Sequence, residues 1–393
     1  MIPTISFETV DSMRIAYLLT SLGIGGAERQ ALAIAERMRE RGHAVIVVTL
    51  RPRLEEEWPT SLPVFRLCVH KNPFSFLSAL VRARRYLHDV RPDLIHSHSF
   101  HANILARLLK LLVPAPAIVS TIHNIYEGGG LRMLAYRLTD PLCRRTTAVS
   151  KAVADRFIAL RAVPAQKCTV LLNGIDADEF TPDPVRRAKT RAALAANSDF
   201  IWLAAGRLAL SKDYPNLLRA FAIVHASCPD ARLWIAGQGT ADESSALLSL
   251  AAELGVDRTM QWLGLRHDLP ALLDAADAFV LSAAWEGMPL ALAEAMAMEK
   301  PVVATDVGGV RELVLGAGTI VPARDAEALA QAMLVLMRET SAARAAQCRA
   351  ARQRIQQHFS IEARAGEWES FYRALAGHPA TSDDPPSPER RRG

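Results

Sequence analysis

The sequence predicts an α/β protein of two doubly wound domains, and three observations carry that prediction. Short apolar runs alternate with helical stretches from residue 13 onward, the alternation restarts at residue 200, and a proline-rich break lies between. At 393 residues, 50% of them hydrophobic, the chain also exceeds one ordinary core.

In chain order, residues 13–20 read as a buried strand, followed by a glycine-rich turn, a helix over 27–41 stopped at Gly42, and a strand over 45–50. Further short apolar runs at 94–96, 117–120 and 169–172 alternate with helical stretches, the order of a parallel sheet. Thr181-Pro182-Asp183-Pro184 and the polar, alanine-rich helical stretch after it read as a linker, so the first domain is expected over 1–182 and the second from 183. The pattern then resumes with strands at 200–206, 232–236, 278–281 and 302–304. Ligands of open α/β sheets bind beyond the carboxyl ends of the strands, so two such sheets facing one another would make an interdomain cleft. The segment 377–393, rich in Pro, Ser, Asp and Arg, is expected to be a disordered tail.

Composition excludes several classes. No run of about eighteen uncharged apolar residues occurs, and the start lacks the basic-then-apolar order of a secretory signal, which points to a cytoplasmic protein. Cys68, Cys143, Cys168, Cys228 and Cys348 are scattered without metal-ligand spacing, which suits a reducing compartment. Residues 1–182 hold 23 Lys and Arg against 16 Asp and Glu, whereas the remainder is slightly acidic. Basic residues such as Arg82, Arg84, Arg85 and Lys110 flank apolar stretches, which suits either a solvated helix face or peripheral contact with an anionic membrane. Aromatic residues are 6% of the chain and are not interleaved with these charges, which argues against nucleic acid.

The densest chemistry lies at Trp285-Glu286-Gly287-Met288-Pro289-Leu290, continuing to Glu294. Proline is favoured at the first helical position, so a helix is predicted to begin near Pro289 with its free amides and positive dipole end facing the preceding loop. Glu286 would lie in that loop and Glu294 more than one turn inside the helix, so the two acids would reach different parts of one ligand instead of pairing with each other. A nucleotide sugar fits, with diphosphate for the amides and hydroxyls for each carboxylate. A capped amphipathic helix with a solvated Glu294 is the plainer alternative.

Two further turns carry phosphate-binding character. Gly23-Ile24-Gly25-Gly26 lets backbone approach a phosphate before a helix starts, but the third glycine of a dinucleotide fingerprint would fall on Glu28, which argues against NAD. At the other, Gly206-Arg207 ends a strand and Lys212 follows five residues on. Arg207 could grip diphosphate oxygens bidentately and Lys212 could add a mobile charge, although two surface bases would look the same.

Taken together, Gly25-Gly26-Ala27-Glu28, Asn173-Gly174-Ile175-Asp176, Gly206-Arg207-Leu208 with Lys212, Gly237-Gln238-Gly239, Glu286 with Glu294, and 301–309 with Arg311-Glu312-Leu313 resemble the retaining glycosyltransferases of family GT4, over nearly the whole chain. The resemblance implies a GT-B architecture, two Rossmann-like domains facing an interdomain cleft, the first (1–182) on the acceptor side and the second (183–358) holding a nucleotide sugar, with a helix over 359–376 crossing back to the first. It implies that Arg207 and Lys212, with Gly206 and Gly237 close by, hold the diphosphate, Glu294 the ribose, and Glu286 the donor sugar, beside Gly287, Met288, Pro289 and Leu290. The amides of Gly25 and Gly26 would cap the diphosphate on closure, and residues near Leu265 would meet the base.

By the same resemblance His123, after a strand, stands where a histidine contacts the sugar or acceptor, against the alternative of a strand-end histidine bonded to backbone. The segment 127–130 after it reads as a mobile loop that closes over the acceptor. Metal readings of His96, His98 and His101 and of Asp176-Ala177-Asp178 are set aside, the first for want of a completing acid or cysteine, the second because Arg207 and Lys212 already serve the phosphate. The expected enzyme is a metal-independent hexosyltransferase using a UDP-sugar, with GDP-mannose second, on a glycan or lipid-linked acceptor. A nucleotide-sugar epimerase, an NAD oxidoreductase and a catalytically silent binding module are the rivals.

Overall fold

In a computed structural model, residues 12–70, 73–113, 116–196 and 199–377 are described. The chain forms two compact units, one of residues 1–174 with 361–393 and the other of residues 175–360. The expected tail lies outside the described residues beyond Gly377.

The first unit runs Arg14–Leu19 (β1), Gly26–Glu40 (α1), Ala44–Thr49 (β2), Val64–Arg66 (β3), Pro73–Val90 (α2), Leu94–His98 (β4), Phe100–Leu109 (α3), Ala117–Ile122 (β5), Gly130–Thr139 (α4), Arg145–Ala148 (β6), Lys151–Ala159 (α5) and Cys168–Val170 (β7). Its seven parallel strands lie in the order β3-β2-β1-β4-β5-β6-β7. Side chains alternate across β1 and β2: Ile15, Tyr17, Val45 and Val47 face a core with α1, while Ala16, Leu18, Ile46 and Val48 face one with α2 and α3. Both faces are covered, which is why these strands read as continuous apolar runs.

The second unit runs Pro184–Ala193 (α6), Phe200–Ala205 (β8), Tyr214–Ser227 (α7), Ala231–Ala236 (β9), Ala241–Glu253 (α8), Met260–Gly264 (β10), Leu269–Ala275 (α9), Ala278–Leu281 (β11), Leu290–Ala297 (α10), Val302–Thr305 (β12), Val310–Val314 (α11), Thr319–Val321 (β13), Ala326–Arg338 (α12) and Ser341–His358 (α13). Its six parallel strands lie in the order β10-β9-β8-β11-β12-β13. A last helix, Ile361–Ala376 (α14), belongs to the first unit, where Ile361, Ala365, Trp368 and Tyr372 join the core that holds α1.

The division between units falls after Gly174 and after Ser360, not after 182 and 358. Ile175 N donates to Phe359 O at 2.7 Å, and Arg352 donates to the carbonyls of Phe180 and Ala177 and to Thr181 Oγ1, so 175–181 is tied to α13. The stretch expected as a linker is a packed part of the second unit. α6 starts at Pro184 and is clamped by three arginines: Arg186 pairs with Asp274, while Arg187 and Arg191 pair with Asp277. Among the described residues no helix is long and apolar enough to cross a membrane.

Candidate active site

In the second unit the carboxyl ends of β8, β9 and β10 meet as bare backbone. Gly206 N donates to Ala236 O at 2.9 Å, Leu208 N to Gln238 O at 3.0 Å, and Gly237 N to Gly264 O at 2.8 Å. A Cβ on Gly237 would stand 1.9 Å from Gly206 O, so only glycine fits there. Gly206 has a φ of +152°, and its carbonyl accepts from the buried Tyr214 hydroxyl at 2.9 Å. Burial, reinforced by Glu286, pushes the Tyr214 phenol up and keeps it a donor.

Arg207 follows, exposed. The chain then makes one 3-10 turn over Leu210–Lys212 and reverses through Asp213, left-handed at φ +47°, into α7. Ser282 Oγ, just past β11, donates to Lys212 O at 2.8 Å and so fixes the lysine's backbone. Lys212 Nζ forms an ion pair with Glu286 Oε1 at 2.5 Å. Glu286 is 8% exposed.

The 283–289 loop holds Glu286 from several sides. Ala284 N donates to Ser211 O at 2.8 Å, Thr305 Oγ1 to Ala283 O at 2.7 Å, and Gly309 N to Gly287 O at 2.8 Å. Gly308, at φ +53°, passes so close that a Cβ there would meet Glu286 O at 1.9 Å. α10 begins at Leu290, next to Pro289, which caps it with an extended ψ of 112°. No side chain caps this helix start. Glu294 is 3% exposed and sits five residues into the helix, Met288 is buried, and Leu265 is half-buried just beyond β10.

The structure thus gathers Gly206, Lys212, Gly237, Glu286 and Gly287, with Glu294 on the helix that follows. Glu286 pairs with Lys212 across the site, a contact that the sequence reading did not include. The supporting residues Tyr214, Ser282, Thr305 and Gly308 were not singled out as such, and only the glycine pair at 308–309 gave a signal in the sequence.

In the first unit, Gly25 caps α1 in extended conformation and Gly26 opens it, with no side-chain cap; Trp58 Nε1 donates to Gly25 O at 3.1 Å. His123 follows β5. Its Nε2 lies 2.8 Å from His98 Nδ1, and its backbone N–H donates to Glu127 Oε1 at 3.2 Å. Glu127 also accepts from Tyr136 Oη at 2.6 Å, and its carbonyl from Arg132 at 2.8 Å, so the loop of 127–130 is anchored at its first residue. Burial pushes the His123 imidazole down to about 4 and the Glu127 carboxyl up to about 7, the latter against the hydrogen bond from Tyr136.

Of the residues in the two metal readings set aside above, His96 and Asp176 have protein partners. His96 is hydrogen-bonded at Nδ1 to Tyr372 Oη and at Nε2 to Thr121 Oγ1. Asp176 Oδ1 accepts from the backbone N–H groups of Asp178 and Glu179. Among the described residues no group of three or more His, Cys, Asp or Glu is placed to hold a metal ion.

Two parallel Rossmann-like sheets, with glycines, a base and an acid past the strand ends of the second and a further acid on α10, have the architecture of the GT-B glycosyltransferases. The family model described as Glycosyltransferase Family 4 matches residues 24–179, and the one described as Glycosyl transferases group 1 matches residues 199–339. The lipopolysaccharide core biosynthesis mannosyltransferase LpsB of Rhizobium meliloti is 31% identical over 242 residues, covering 60% of this chain and 67% of that protein. The UDP-Gal:alpha-D-GlcNAc-diphosphoundecaprenol alpha-1,3-galactosyltransferase of Escherichia coli is 25% identical over 254 residues, 62% of this chain, and the match spans 65% of that enzyme's length. The crystal structure of Anabaena Alr3699/HepE in complex with UDP aligns with a TM-score of 0.79 at 23% identity, covering 92% of this chain and 100% of that one. The chain belongs to glycosyltransferase family 4, and the enzyme is a hexosyltransferase.

Proposed function

We propose that this protein moves a hexose from a nucleotide-diphosphate sugar to a glycan or lipid-linked acceptor in surface polysaccharide or glycolipid synthesis, with retention at the anomeric carbon and without a metal ion. The observation that carries the reading is the Lys212–Glu286 pair beside the uncapped start of α10. A cation and free amides suit a departing diphosphate, and a buried carboxylate next to them suits sugar hydroxyls.

As the bond between the anomeric carbon and the phosphate oxygen breaks, negative charge gathers on the leaving group, and Arg207, Lys212 and the amides of α10 take it up. The acceptor oxygen bonds to the anomeric carbon on the same face, and its proton passes to the departing phosphate oxygen. Glu294 accepts from the ribose hydroxyls and Leu265 lies beside the base; in the first unit, taken by itself, His123 suits a hydroxyl of the sugar or acceptor, and the start of α1 at Gly25 and Gly26 suits a phosphate.

UDP-sugar is the first donor, in line with the Escherichia coli relative named for UDP-Gal and the Anabaena protein solved with UDP. GDP-mannose is second, in line with the Rhizobium relative named a mannosyltransferase. A donor panel assayed by released nucleoside diphosphate, with membrane extract as the acceptor source, tests this. Release that depends on extract supports transfer, whereas isomerised donor without extract would point to an epimerase. An inverted anomeric product, read by NMR, would refute retention.

We also propose that the first unit rests on the inner face of the plasma membrane. On α2, Phe74 is 84% exposed with Leu77 and Val81 beside it, near Arg82, Arg84 and Arg85. On α4, Leu131 is 85% exposed with Leu134 and Leu138, near Arg132 and Arg137. Both helices repeat the same i, i+3, i+7 spacing of outward apolar residues next to bases, which suits an anionic bilayer surface. Flotation with anionic but not zwitterionic vesicles at low salt is expected; no flotation with either would refute it.

A further inference from the structure

We propose that His98 is a positioning residue that fixes the tautomer of His123, so that His123 offers an Nδ1–H donor to its ligand and cannot act there as a base. The two rings share one hydrogen bond, His98 Nδ1 to His123 Nε2 at 2.8 Å, and either nitrogen could supply the proton. The difference lies at the far side of His98. Its Nε2 is buried with no hydrogen-bond partner among the described residues.

If His123 Nε2–H were the donor, a neutral His98 would carry its own proton on that buried Nε2, leaving an N–H unpaired away from water. If His98 Nδ1–H is the donor, only a lone pair is left there. Orphaned buried N–H groups are the rarer and less tolerated kind, so the second arrangement is favoured. Protonating either ring is opposed by burial, which holds both imidazoles well below their ordinary range.

His96, two residues earlier on β4 with its ring centroid 4.0 Å from that of His98, makes the contrast. It uses both nitrogens, on Tyr372 and Thr121, within a chain that continues to Tyr17 and Thr147. His96 is a satisfied core histidine, whereas His98 has one side-chain hydrogen bond among the described residues, and that one goes to His123. With His123 Nε2 accepting, its proton sits on Nδ1, which has no hydrogen bond among the described residues. The Glu127 carboxylate, by accepting from the His123 backbone N–H, holds the residue in place without touching the ring's polarity.

The turnover arm of the test rests on the transferase reading; the spectroscopic arm does not. Long-range proton–nitrogen correlation spectra of enzyme labelled with nitrogen-15 histidine, assigned with the His98 and His123 variants, should show His123 protonated at Nδ1 and bare at Nε2 near neutral pH. The reverse pattern would overturn the proposal whatever the enzyme transfers. His98→Asn puts an amide N–H donor in place of Nδ1 and should keep both the tautomer and turnover within about threefold, while His98→Asp puts an acceptor there, moves the His123 proton to Nε2 and should lower turnover at least tenfold. Equal losses in both variants with the His123 tautomer unchanged would also overturn it.

Discussion

Lys212 Nζ and Glu286 Oε1, 74 residues apart in the chain, stand 2.5 Å apart at the strand ends of the second unit. Each therefore has a partner in the free protein, and on the function proposed above a nucleotide sugar would share that pair between its phosphate and its sugar. Glu286→Gln removes the competing charge while keeping the shape. UDP affinity should stay equal or rise, while turnover falls on the order of a hundredfold through lost contact with the sugar in the transition state. Calorimetric titration with UDP beside a turnover assay checks both halves; weaker UDP binding in the variant would contradict this assignment.

Glu294→Ala should weaken nucleoside diphosphate binding by about 1–3 kcal/mol through lost hydrogen bonds to the ribose. A 2′,3′-dideoxy nucleotide, which lacks those hydroxyls, should bind wild type and variant alike. If the variant weakens both ligands equally, the carboxylate does not serve the ribose.

Gly308→Ala should both destabilise and inactivate. An alanine in the left-handed region costs about 1–2 kcal/mol by itself, and at φ +53° its Cβ would also meet Glu286 O at 1.9 Å, forcing the acid's loop to move. Gly316, at φ +82° with nothing within 4 Å of its Cβ position, is the control: Gly316→Ala should lower Tm and leave turnover alone. Equal activity loss in both would show that backbone strain, not displacement of Glu286, is responsible.

Glu127 gives a pH test. Its carboxyl is raised from 4.5 to about 7 by burial, so between those values the folded protein holds a proton that the unfolded chain has released. That stabilisation is complete below the lower value and is lost as pH rises through the upper one. Glu127→Gln removes it, so the variant's stability relative to wild type should climb from about pH 5 to about pH 8 in denaturant titrations. A flat difference would mean that the carboxyl is not raised.

Much of this architecture was legible because parallel strands covered on both faces leave apolar runs. The strands that were missed explain themselves. β3, β10 and β13 are edge strands, with mixed residues on a half-open surface. β6, Arg145-Thr146-Thr147-Ala148, is buried but polar, since Thr146 accepts from Arg107 and Thr147 bonds Thr121. α6 passed for a linker because its packing runs through arginines onto Asp274, Asp277 and backbone carbonyls instead of through an apolar stripe. At the site, the residue types were readable as an ordered set, although each taken alone had a plainer structural reading. The pairings were not. Which acid meets which base, or which ring nitrogen meets which, depends on contacts between residues as far apart as 98 and 123 or 212 and 286.

The central claim is that the second unit binds the donor's diphosphate at Arg207 and Lys212 beside the start of α10. A crystal of the full chain soaked with UDP tests it most directly. The account predicts phosphate oxygens on both side chains, the Lys212–Glu286 pair loosened, and the ribose on Glu294. UDP ordered elsewhere, or bound with Lys212 still wholly engaged by Glu286 and Glu294 untouched, would contradict it.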